Sequence, residues 1–94
     1  MKFIAMIEYR KDSEQIKAAG LQHHNYLRTL LDNGELFAAG PFANEAGALW
    51  IYEAETLDQV EAKIQDDPYN VAGVFLTWRI QPLAYWSAKS HKGK

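Results

Sequence analysis

The chain has 94 residues, 48% of them hydrophobic, with 10 Lys and Arg against 12 Asp and Glu, a formal net charge of -2 and no cysteine. That supports one modest core and is too little for two, so a single domain is expected. The balanced charge leaves no electrostatic footprint for nucleic acid or an acidic membrane, and the missing cysteines exclude disulfides, thiolate catalysis and cysteine metal sites.

"KFIAMIEY" (Lys2 to Tyr9) is a short apolar run rich in strand formers and reads as a strand, not a signal sequence. No run approaches the roughly 18 apolar residues of a membrane span, so a soluble, cytoplasmic protein is expected. Asp12 and Gln15 have capping-box spacing, and Ile16, Ala19, Leu27, Leu30 and Leu31 keep to one side of a 3.6-residue period. A first helix from about Ser13 to Asn33 follows, stopped by Gly34.

"ELFAAGPF" (Glu35 to Phe42) reads as a second strand ended by Gly40-Pro41, and "NEAG" as a hairpin turn into a third strand, "ALWIYEA". "TLDQVEAKIQ" places Thr56 and Gln59 at capping-box spacing, with Leu57, Val60 and Ile64 on one face of a second helix. That helix should stop near Asp67-Pro68, because proline disfavours helical geometry in the residue before it. "VFLTWRIQPL" (Val74 to Leu83) is the last strand. The domain therefore spans 1–83, and 84–94, with His91, forms a C-terminal tail.

The order β-α-β-β-α-β predicts an α+β, ferredoxin-like fold: a four-stranded antiparallel sheet with two helices on one face. Its strands do not alternate cleanly, since Phe3 to Ile7 and Ala48 to Tyr52 are consecutive apolar residues. An apolar second face needs a cover, and the most economical one is a second copy of the sheet in a homodimer.

Two adjacent histidines interrupt the first helix. At about 100° per residue, His23 falls in the middle of the buried stripe and His24 at its margin, with Arg28 beyond it. A buried imidazole needs a hydrogen-bond partner. It is either a core histidine bonded to a backbone carbonyl or a functional group, and the best functional partner is Asp67, held beside Pro68 at the end of the second helix. His24 reads as a surface residue and Asp66 as a solvated neighbour. Gly40 permits close backbone approach or positive φ and Pro41 stiffens the strand exit, which suits either a ligand or a plain turn. Adjacent histidines diverge by about 100° on a helix, so they make no metal motif, and no nucleotide fingerprint is present.

Taken together, "HHNYL", "NGELFAAGPF", "GALWIYEAETLDQVEAKIQDDPY" and "AGVFLTWRIQPL" resemble the YCII-related (YciI-like) family from the amino terminus to about Leu83. The most specific pieces are His23, Tyr26 and Leu27, the Ala-Gly-Pro at Ala39 to Pro41, and the Asp-Pro-Tyr at Asp67 to Tyr69. The resemblance implies a dimeric α+β barrel, a catalytic pair of His23 and Asp67, and Gly40, Pro41 and Tyr69 at the substrate. Many members carry an arginine where this chain has Gly20. The chemistry implied is proton transfer on a small cyclic or aromatic substrate without cofactor or metal, as a lyase, isomerase or dehydrochlorinase. The alternatives are a non-catalytic ligand-binding module and a purely structural dimer.

Overall fold

The structure, a computed structural model, describes residues 1–11 and 13–87. Asp12 of the expected capping box and His91 of the tail lie outside the described residues. The elements run β1 (Lys2–Tyr9), α1 (Ser13–Asp32), β2 (Leu36–Pro41), β3 (Gly47–Glu53), α2 (Leu57–Gln65), α3 (Pro68–Val71) and β4 (Phe75–Pro82). The strands form one antiparallel sheet in the order β2-β3-β1-β4.

The register sets which side chains meet. Phe3, Ala5 and Ile7 of β1 face Tyr52, Trp50 and Ala48 of β3, and all six are buried. This is the strict alternation of a sheet with one face against helices. Each large side chain buried there contributes roughly 1.5–3 kcal/mol of hydrophobic stabilisation. From the helices, Ala19, Leu27 and Leu30 of α1 and Val60 and Ile64 of α2 close the same core. The intervening residues Ile4, Leu49 and Ile51 are only half-buried, and Met6 is exposed, so the opposite face is apolar and open.

Local chemistry explains the boundaries. Helix α1 ends in a Schellman arrangement: Gly34, at φ 78°, donates to the Leu31 carbonyl, and Glu35 donates to that of Leu30. Helix α2 starts on Thr56, whose hydroxyl accepts from the Gln59 amide while the Gln59 side chain accepts from the Thr56 amide. The one element not expected is α3, a single turn that begins at Pro68, where the missing N–H of proline is harmless. Among the described residues no helix is long and apolar enough to cross a membrane.

Candidate functional site

Three elements build the site around His23. Helix α1 carries the imidazole inside its buried stripe, 3% exposed. At the end of α2 the chain turns through Asp67, whose backbone is extended (φ -61°, ψ 132°), the conformation the following proline favours. In that pose Asp67 caps α3: its Oδ1 accepts the Tyr69 amide at 2.8 Å. The same oxygen lies 2.7 Å from His23 Nδ1, and Asp67 is fully buried. A carboxylate only accepts, so Nδ1 carries the proton and donates it to Asp67. The partner of the core histidine is thus a side-chain carboxylate 44 residues away, not a backbone carbonyl.

Aromatic rings fix the imidazole plane. Tyr69 stacks on His23 with centroids 3.8 Å apart and planes 9° apart, and Trp50 sits at 5.5 Å. Burial, and then the negative charge of Asp67, pushes the Tyr69 phenol upward. Burial raises Tyr26 to about 12, with Asp67, Asp66 and Glu35 adding to it. Tyr52 is raised by the same two causes, burial first and Asp67 second. Its hydroxyl and Asp67 Oδ2 are the buried polar side-chain atoms without a hydrogen-bond partner among the described residues.

His23 reaches a cavity of about 470 Å³. Tyr9, Trp50 and Tyr69 line it as flat walls, and Ala39, Gly40 and Pro41 of β2 line it from the sheet. Of the expected site residues, His23, Gly40, Pro41 and Tyr69 therefore share one cavity, with Asp67 behind His23. Of the two roles expected of Gly40, positive φ is not used, and a Cβ built on it meets no protein atom within 4 Å. It simply leaves the wall open. His24 is exposed, as expected of a surface residue, yet it also lines the cavity with Arg28 and Glu45. The available signal was the spacing of His24 and Arg28, one turn apart at the margin of the buried stripe; Glu45 gave none.

The sequence matches the YCII-related domain over residues 1–84. Among solved structures it is similar to the 5-chloro-2-hydroxyhydroquinone dehydrochlorinase of Burkholderia phenoliruptrix, determined in complex with 2,5-dihydroxybenzoquinone. The TM-score is 0.78 at 23% identity, over 92% of this chain and 96% of that one. A search of the curated proteins finds no match.

Proposed function

The chain belongs to the YCII-related domain family, and on that premise we propose that it is a cofactor-independent enzyme for proton transfer on a small cyclic or aromatic substrate. His23 is the general base or acid and Asp67 its positioning residue. The observation that carries this reading is the 2.7 Å contact between His23 Nδ1 and Asp67 Oδ1 at the edge of an aromatic-walled cavity. With Nδ1 committed to the carboxylate, the tautomer is fixed and Nε2 keeps its lone pair for a substrate proton.

Two outcomes follow from one step. After Nε2 takes the proton, the electron pair left on the substrate either shifts its double bonds and is reprotonated elsewhere, which is isomerisation, or expels a leaving group such as chloride, which is elimination. The volume of about 470 Å³ suits a single substituted ring. Gly40, Pro41 and Tyr69 shape the space around it. The similar dehydrochlorinase, which binds a hydroxylated quinone, supports this substrate class by fold analogy alone.

The acting unit in this reading is a cytoplasmic homodimer. Its support is the apolar outer face of the sheet, where Ile4, Leu49, Ile51 and Met6 remain wholly or partly accessible. An exposed apolar sheet face is the kind of surface a second copy covers.

Turnover of chlorinated and unchlorinated hydroxyhydroquinones and of small lactones, in wild type and His23→Gln, tests the proposal. Glutamine retains a donor for Asp67 but has no titratable nitrogen. Turnover in wild type that is lost in the folded variant supports an enzyme. Binding without turnover assigns the cavity to an accessory ligand-binding module instead.

A further inference from the structure

We infer that the ligand of this cavity carries an anionic group of the aromatic carboxylate class, seated between Arg28 and His24 while its ring lies against the aromatic walls. The inference rests on the reading of His23 as the acting group and adds the substrate's charge to it.

His24 and Arg28 are one turn apart on α1 and both face the cavity from the same wall. Residues four apart on a helix are neighbours, so the two can hold one group between them. Arg28 is exposed and makes no ion pair with any described residue, so its five N–H donors are uncommitted. A planar guanidinium matches a carboxylate with two parallel hydrogen bonds, which a neutral amide cannot reciprocate. The His24 ring is 5.4 Å from that of His23, so a group held there is close to the reacting nitrogen.

The negative charges around the cavity sharpen the placement. Asp67 lies behind His23 and is bonded by both the imidazole and the Tyr69 amide. Glu45 lines the cavity from the β2–β3 hairpin and is held at φ 59°, a left-handed conformation that a glutamate seldom adopts. A substrate carboxylate next to Glu45 meets like charge. Among the described lining residues the cationic side chain, Arg28, stands on the α1 wall, so the charge fixes which end of the ring points to the helix.

The test pairs 4-hydroxybenzoate with 4-hydroxybenzamide, which share size and ring and differ in charge. Binding is read by calorimetry and by the NMR signals of the His23 and His24 rings. The benzoate should bind on the order of tenfold more tightly than the amide. That preference should fall to about twofold in Arg28→Gln, recover partly in Arg28→Lys, and shrink on raising salt from about 20 mM to about 500 mM. Equal binding of both probes with a shifted His23 signal overturns the anion inference and leaves the proposed function standing. If neither probe binds or moves His23, the anion inference falls, and the proposed function is decided separately by turnover of the hydroxyhydroquinones and lactones.

Discussion

Tyr69 touches His23 by two routes. Its ring stacks on the imidazole at 3.8 Å, and its backbone amide donates to the same Asp67 oxygen that His23 approaches. One residue thus sets the plane of the histidine and the position of its partner. The two contributions separate by mutation, because only the ring is lost on truncation. Tyr69→Ala should cost about 3–5 kcal/mol and broaden the His23 ring signals. Tyr69→Phe should stay within about 0.5 kcal/mol of wild type, since the hydroxyl has no hydrogen bond among the described residues. Equal losses in chemical denaturation would show that the stack is unimportant.

Gly20 sits inside α1, where a Cβ would meet only the Tyr69 hydroxyl at 3.6 Å, an ordinary contact. Glycine is the poorer helix former by about 1 kcal/mol, so Gly20→Ala should raise stability by up to that amount. A lowered melting temperature would mean that the Tyr69 hydroxyl needs the space.

The opposite sign holds at Gly47. A Cβ there would lie 2.0 Å from the Ile7 carbonyl oxygen and 3.3 Å from Glu8 Cα. Neither is a flexible group, so β1 and β3 would have to separate where they carry the core. Gly47→Ala should destabilise by more than about 3 kcal/mol or prevent folding, read as loss of a cooperative melt. It also disturbs the hairpin that brings Glu45 to the cavity.

Alkaline pH tests the buried phenols. Tyr26 is raised from 10.0 to about 12, chiefly by burial, and donates its hydroxyl to the Lys63 carbonyl at 2.7 Å. Tyr9, Tyr52 and Tyr69 are raised as well, again chiefly by burial. In the unfolded chain these groups ionise near the usual value, while the folded chain keeps its protons. The contribution of Tyr26 is therefore complete below about pH 10 and is lost as pH rises through about 12, while those of the more strongly raised Tyr9 and Tyr52 are lost at higher pH still. Unfolding and the rise in tyrosinate absorbance should coincide in that window. Reversible ionisation of all five tyrosines near pH 10 in a folded chain would contradict it.

Much of this was legible in the sequence. Strand β1 was marked by composition, α1 by its apolar stripe with Gly34 as stop, and α2 by Thr56 and Gln59. The His23 position followed from helical period alone, and Asp67 from the residue that must end α2. What stayed hidden depends on long-range geometry: the turn α3, whose four residues are too few to show a period, and the stacking of Tyr69. At Gly40 the sequence left close approach and positive φ open, and only the backbone geometry removes the second. Glu45 reached the cavity through a left-handed turn residue that no propensity would assign to glutamate.

In the proposed function Asp67 holds His23 in one tautomer for work in the cavity. Proton-nitrogen NMR of the imidazole nitrogens, in wild type and Asp67→Asn, tests it most directly. Asparagine can still accept the Tyr69 amide and cap α3, so the fold should survive while the charge is removed. A low-field Nδ1 proton for His23 is expected, shielded from solvent exchange in wild type and lost or shifted far upfield in the variant. A His23 ring that exchanges freely between tautomers in wild type, and is unchanged by Asp67→Asn, would mean that Asp67 does not set the tautomer.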